Sequence, residues 1–177
     1  MPGVKVLRSA EVPARRLAQV RALLDAAFGD GFSAEDWEHC LGGWHVLRCA
    51  GDVVVAHAAV VPRVLEIGAR PVDAGYVEGV ATLPGRQGHG LGTSVMRAAG
   101  ELVTASFELG ALSTSRHGFY ARLGWLRWRG PTYVRRGTEL VRTADEDDGI
   151  MVLRHASSPP IELTEPIACT ERSGDDW

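Results

Sequence analysis

The sequence predicts an α/β fold built on a mixed sheet. Three observations predict it. Short β-branched runs recur from residue 4 to residue 153, and two longer stretches carry apolar residues at spacings of three and four. A glycine-rich turn then joins the strand-like run Val72 to Ala81 to the second of those helical stretches. Strand-like and helical stretches alternate along the whole chain, with no internal repeat and no low-complexity linker. Residues 1–177 are therefore expected to form one domain.

Val4 to Leu7 reads as the first strand. After Pro13, the residues Leu17, Val20, Leu24 and Phe28 repeat at helical spacing, and Gly29-Asp30-Gly31 ends the helix. Ser33 stands as an N-cap for a short helix, Asp36 to Leu41, which Gly42-Gly43 breaks. His45 to Cys49 and Val53 to Val61 flank Ala50-Gly51-Asp52, a hairpin signal. Val64 to Ile67 and Val72 to Ala81, with Gly68 between them, read as a second pair. The long helix covers roughly 89 to 106, with Leu91, Val95, Ala99, Leu102 and Val103 along one face. Leu109 to Ser113 is a strand, Arg116 to Leu123 a short helix, and Trp125 to Val134 a further strand. The loop Asp145 to Gly149 leads into a last strand, Ile150 to Leu153. Residues 155–177 hold three prolines and little periodicity.

Composition narrows the function classes. A hydrophobic fraction of 45% and a charged fraction of 23% are those of an ordinary soluble globular protein, and 177 residues suffice for a substantial core. A net charge of −3 argues against a general nucleic-acid binder. No apolar run reaches the roughly 18 residues of a membrane span, and Met1-Pro-Gly-Val-Lys-Val lacks an apolar leader core. The expectation is a cytoplasmic homodimer with no nucleic-acid or membrane partner. Cys40, Cys49 and Cys169 are widely spaced and read as buried free thiols. His57 lies in an apolar run and reads as a hydrogen-bonded sheet histidine. None of the histidines has ligand spacing, so no metal is expected.

The segment from Tyr76 to Gly92 concentrates the chemistry. It reads as a strand bearing one carboxylate, Glu78, then a glycine-rich turn, then a helix start. Glycines let backbone approach an anion, and amides at a helix start point at it, a geometry that suits a diphosphate. A dinucleotide-binding βαβ unit is disfavoured, because the third glycine is misplaced and Glu101 falls inside the helix. A P-loop is excluded by the absence of Gly-Lys-Ser/Thr. The segment Gln87-Gly88-His89-Gly90-Leu91-Gly92 fits Gln/Arg-x-x-Gly-x-Gly/Ala and resembles the pyrophosphate-binding signature of the GCN5-related N-acetyltransferases (GNAT). Phe119-Tyr120-Ala-Arg-Leu-Gly124-Trp125 is similar to the second signature of that superfamily, Phe-Tyr-x-x-x-Gly-Phe/Trp. The resemblance implies a mixed, mostly antiparallel central sheet flanked by helices. It also implies acetyl-coenzyme A as co-substrate, held by Val80 and by Gln87, Gly88, His89, Gly90, Leu91, Gly92 and Thr93.

N-acyl transfer from a thioester needs a neutral amine, an oxyanion donor and a proton for the departing thiolate. Glu78 is the candidate base, acting directly or through a water. The backbone amide of Val80 is a candidate donor to the thioester carbonyl, and Tyr120 a candidate acid. The plain alternatives are a solvent-facing strand carboxylate for Glu78 and a helix tyrosine packed on the sheet for Tyr120.

A closer resemblance runs from about residue 4 onward. Asp36-Trp-Glu-His-x-Leu-Gly-Gly43, Ala56-His-Ala-Ala-Val60, Gly75-Tyr-Val-Glu-Gly-Val-Ala81 and Leu109-Gly-Ala-Leu-Ser113 look like the aminoglycoside 2'-N-acetyltransferases. So do Gly124-Trp-x-x-Trp-x-Gly-Pro-Thr132, the Asp-rich loop before Gly149, and Ser173-Gly-Asp-Asp-Trp177. This resemblance implies a small cationic aminosugar as acceptor. It would be held by Asp36, Glu78, Asp147, Asp175 and the carboxylate of Trp177, with hydrogen bonds from Ser113 and to the Gly79 carbonyl. Taken without it, Asp145 to Asp148 is a solvated loop and the C-terminus a frayed tail. The alternatives are the same chemistry on kasugamycin, a cell-wall amine or a peptide N-terminus, or a non-catalytic module that binds acyl-coenzyme A or drug.

Overall fold

The computed structural model describes residues 3–177. These group into two compact units, one made of residues up to Val61 with Val77–Glu101, the other of Pro62–Tyr76 with Leu102–Trp177.

In the first unit, β1 (Val4–Arg8) pairs antiparallel with β2 (Trp44–Ala50), Val6 opposite Val46. β2 pairs antiparallel with the first half of β3 (Val53–Ile67), Leu47 opposite His57, and the register shifts at Arg48/Cys49. α1 (Ala14–Phe28) places Val20, Leu23 and Leu24 in the core beside Val12, Cys40 and Leu47. Phe28 departs from the expected stripe: it is 47% exposed and stacks on Phe32. The turn from Gly29 to Gly31 brings Phe28 onto Phe32, which is partly buried and packs against the edge of that core. Ser33 caps α2 (Ala34–His39) as expected, and the Asp36 carboxylate accepts in turn from the Ser33 amide at 2.8 Å. β4 (Arg70–Thr82) and α3 (Leu91–Ser106) run on into the second unit.

The second unit follows the strand order β6-β9-β5-β4-β3-β10-β7-β8. Its members are β5 (Leu109–Ser113), β6 (Leu126–Arg127), β7 (Thr132–Arg136), β8 (Glu139–Arg142), β9 (Ile150–Leu153) and β10 (Ile167–Thr170), with α4 (His117–Ala121) between β5 and β6. β4–β5 and β7–β10 are parallel; the other registered pairs are antiparallel, giving the mixed, mostly antiparallel sheet the resemblance implies. Gly75 and Gly110 face each other across the β4–β5 pair. A Cβ on Gly75 would lie 2.7 Å from the Phe107 ring, and one on Gly110 3.0 Å from Trp125 and Val103. The missing side chains leave room for those large groups.

Several boundaries differ from expectation. Val53–Val61 and Val64–Ile67 are one strand, because β3 changes neighbours where Pro62 falls. Its registered pairing with β2 starts from Val60, and that with β10 involves Glu66 and Ile67. A proline without an N–H is tolerated in that interval. Trp125–Val134 is instead two strands. Trp128 is buried, its indole N–H donates to the Glu165 carbonyl at 3.0 Å, and Gly130 passes so close that a Cβ would lie 1.9 Å from the same oxygen. β8 and β10 were not anticipated. Of the cysteines, Cys40 and Cys169 are buried and Cys49 only partly so. Among the described residues no helix is long and apolar enough to cross a membrane.

Candidate active site

In the first unit, Glu78, Gly79 and Val80 follow one another, half-buried, on β4. Gly79 has φ +55°, and a Cβ there would meet the Cys40 thiol at 2.6 Å, so conformation and space both require glycine. Its carbonyl accepts a 2.7 Å hydrogen bond from His57 Nδ1, and His57 Nε2 lies 2.9 Å from His45 Nδ1. Burial pushes the two imidazoles down to about 3 for His57 and about 4 for His45, so both are neutral near pH 7. His57 is thus the hydrogen-bonded sheet histidine expected of it.

Further along the same unit, residues 84–90 form an exposed turn ahead of α3. Gly88 and Gly90 have φ +78° and +76°, with nothing within 4 Å of where a Cβ would stand. The Gly90 carbonyl accepts the first helical bond from Ser94 at 3.0 Å, and His89 Nδ1 donates to the Gln87 carbonyl at 2.7 Å. Leu91, Gly92 and Thr93 are therefore the first turn of a 16-residue helix, and their amides precede any intrahelical partner. Open space over left-handed glycines at a helix start fits an approaching diphosphate.

In the second unit, Tyr120 lies in α4 at 7% exposure, edge-on to Trp125 at 6.3 Å and to Phe119 at 4.9 Å. Burial pushes its hydroxyl up to about 12, with Arg116 acting weakly the other way. The phenol therefore stays protonated across the physiological range and is available as a proton donor. Ser113, exposed at the end of β5, borders Gly149. A Cβ on that glycine would be 2.9 Å from Ser113 Oγ and 3.6 Å from Glu146 Oε2.

The acidic loop is more ordered than a solvated run. Asp147 Oδ1 accepts from the Thr132 amide (2.9 Å), the Thr132 hydroxyl (2.9 Å) and Arg142 Nη1 (2.7 Å), while Oδ2 accepts from Arg142 Nη2. The Arg142 bond, reinforced by those from Thr132, holds this carboxyl down to about 2. Glu146 is shifted the other way, by burial first and then by the charges of Asp175 and Asp145.

The C-terminal segment is pinned rather than frayed. Trp177 is 4% exposed, and its indole N–H donates to Thr143 Oγ1 at 3.2 Å. Asp175 Oδ1 accepts from the Trp177 amide at 3.2 Å, and Arg172 Nη2 donates to a main-chain oxygen of Trp177 at 3.3 Å. Asp176 takes bonds from Arg63 Nη2 at its carbonyl (2.9 Å), from the Arg172 amide (2.9 Å) and from Arg136 (3.3 Å). Arg63 and Arg172 also stack on Tyr76, 4.7 and 5.8 Å from the ring centre.

Each unit thus gathers part of the expected set. Glu78, Gly79, Val80, Asp36 and the turn at 87–93 fall in the first, and Ser113, Tyr120, Asp147, Asp175 and Trp177 in the second. Sequence reasoning missed His45, Glu146 and the arginines that hold the tail. His45, opening a strand-like run, offered the one available signal: a second histidine on a strand paired with that of His57.

Residues 10–127 match the model of the acetyltransferase (GNAT) domain. An aminoglycoside 2'-N-acetyltransferase from Mycolicibacterium fortuitum is 41% identical over 161 residues, covering 89% of this chain and 83% of that one. Solved structures show the same fold at low identity. A GNAT family N-acetyltransferase (YhbS) from Escherichia coli in complex with CoA superposes at a TM-score of 0.69, with 14% identity and coverage of 97% and 92% of the two chains. A GNAT family acetyltransferase from Brucella melitensis in complex with acetyl-CoA gives 0.61, with 18% identity and coverage of 93% and 94%. The chain belongs to the GNAT acetyltransferases and, among them, to the aminoglycoside 2'-N-acetyltransferase family.

Proposed function

We propose that this protein acetylates the 2'-amine of an aminoglycoside-type antibiotic from acetyl-coenzyme A, and so inactivates it. The observation that carries the substrate is the 41% identity, spread over most of both chains, to the mycobacterial enzyme of that name. Acetylation removes a positive charge from an amine that such a drug uses to grip RNA phosphates. Because acetyl-coenzyme A and the ribosome share the cytoplasm, that is where we place the activity; the working unit is taken to be one acetyltransferase domain over residues 1–177, paired as a homodimer.

When bound, acetyl-coenzyme A supplies an activated acetyl thioester. Gln87 to Thr93 hold its diphosphate, and the Val80 amide donates to the thioester carbonyl. Glu78 takes the proton from the acceptor ammonium. As the C–N bond forms and the C–S bond breaks, Tyr120 gives its proton to sulfur, and the acylated nitrogen gives up its second proton to water, from which the Tyr120 phenolate is reprotonated. Asp36, Asp175 and the loop fixed by Asp147 supply negative charge to an acceptor carrying several ammonium groups, with Ser113 and the Gly79 carbonyl adding hydrogen bonds. Charge-assisted bonds of this kind discriminate for cations. The test is thiol release with acetyl-coenzyme A over a panel of 2'-amino and 2'-hydroxy aminoglycosides, kasugamycin and a peptide N-terminus. Turnover confined to the 2'-amino drugs, with the acetyl group located on that nitrogen by NMR, is expected. Equal turnover of the 2'-hydroxy drugs would overturn the regiochemistry, and a preference for kasugamycin or the peptide would overturn the substrate.

A further inference from the structure

The pair His45–His57 is buried, touches no solvent and has no part in the chemistry assigned above. Its hydrogen bonds nevertheless have only one consistent direction. The Gly79 carbonyl can only accept, so His57 Nδ1 carries a proton and donates it. A neutral ring protonated at Nδ1 has a lone pair at Nε2, so His45 must donate to it from its own Nδ1. His45 Nε2, buried and without a partner among the described residues, is then a bare lone pair rather than an orphaned N–H. The reverse arrangement would set the His57 Nδ1 lone pair against the Gly79 oxygen, and is excluded. The row His45→His57→Gly79 is a single polarised chain ending on one backbone oxygen.

That oxygen belongs to the peptide whose other end is the Val80 N–H. In a trans peptide the C=O and N–H point in opposite directions, and the chain has no cis peptide among its described residues. Drawing the Gly79 oxygen toward His57 turns the Val80 N–H the opposite way, and the left-handed φ of Gly79 is the backbone rotation that permits it. A hydrogen bond accepted by a peptide oxygen also polarises its N–H, strengthening it as a donor. We propose that His57, backed by His45, is a positioning residue for acyl transfer: it fixes and polarises the Gly79–Val80 peptide so that the Val80 amide is presented to the thioester carbonyl. The inference rests on the acetyltransfer reading above.

Two measurements test it. In nitrogen-15 spectra of the wild-type protein, both rings should appear as neutral Nδ1–H tautomers that do not titrate between about pH 5.5 and 8. An Nε2–H tautomer at His57 would overturn the relay whatever the activity. In kinetics, His57→Leu should lower kcat about ten- to a hundredfold while both KM values stay within about twofold. His57→Asn, whose side-chain amide can donate to the Gly79 carbonyl, should recover most of the loss. An unaffected His57→Leu, or a His57→Asn as slow as His57→Leu, would show that the pair only packs the core. Absence of thiol release by the wild type on every acceptor would instead overturn the acetyltransfer reading, with the tautomer result left standing by itself.

Discussion

Glu146 and Asp147 are neighbours in the chain and opposites in electrostatic setting. Asp147 is gripped by Arg142 through both carboxylate oxygens, whereas Glu146 is half-buried and feels the charges of Asp175 and Asp145. One acid stabilises the loop when ionised; the other is held there against its own preference. In the proposed site, Asp147 sets where the loop lies and Glu146 adds to the negative charge it presents.

Opposite pH dependences follow for the two. A carboxyl held down to about 2 contributes stability that is complete above the ordinary carboxylate range and disappears as the pH falls through about 2. Asp147→Asn should therefore lower Tm by about 2–5 °C at pH 7, and the difference should close toward pH 2. Glu146, shifted up, gives stability in acid that is lost as pH rises through its folded-state value. Glu146→Gln should raise Tm at pH 7 and leave it unchanged near pH 3. Thermal melts at three pH values check both, and an equal Tm change at every pH would refute the assignment.

Glu78→Gln should lower turnover far more than it changes donor affinity. The loss should be greatest at low pH, where the acceptor amine most needs deprotonation. Steady-state kinetics from about pH 6 to 9 decide this, and a mutant matching wild type throughout removes Glu78 from the role of base.

Gly90→Val forces a β-branched residue into φ +76° and fills the space above the turn. Calorimetric titration with coenzyme A should show affinity weakened about tenfold or more, with acceptor KM little changed. Intact donor affinity would place the diphosphate elsewhere.

For Tyr120→Phe we expect a partial loss in kcat, about ten- to a hundredfold, because a water can protonate the thiolate in its place. Since the phenol titrates only near 12, the wild-type rate should show no alkaline decline from this group below about pH 10. A variant with full activity would mark the tyrosine as structural.

Asp175→Asn should raise acceptor KM about ten- to a hundredfold, the cost of one charge-assisted bond of roughly 1.5–3 kcal/mol, and spare donor affinity. The comparison must use the side chain alone, because removing Trp177 would also take away a buried indole and the packing it makes. An unchanged acceptor KM would take the tail out of the acceptor site.

Elements with strong local signals were legible in the sequence. The α1 periodicity, the Ser33 cap, the α3 face and the left-handed glycines at 88 and 90 each depend on residues a few positions apart. The elements missed depend on distant partners. β8 is a short, mostly exposed edge strand defined by its pairing with β7, and β10 is four residues long with neighbours from β3 and β7. The tail looked frayed because the groups that pin it, Arg63 above all, lie far back in the chain. The ion pair of Asp147 with Arg142 is likewise set by the β7–β8 hairpin and not by the run of acids itself.

β10 also sets the order in which the second unit can be completed. It lies between β3 and β7, antiparallel to one and parallel to the other, yet it is made long after both. Until Ile167–Thr170 leave the ribosome, β3 has an unpaired edge beside Leu65 and Ile67, two side chains that end fully buried. Such an edge is a template for pairing with another chain, and long-range parallel pairing is slow to form. The nascent chain is thus most vulnerable to aggregation in the interval between the emergence of β3 and that of β10, and anything that lengthens this interval raises the hazard.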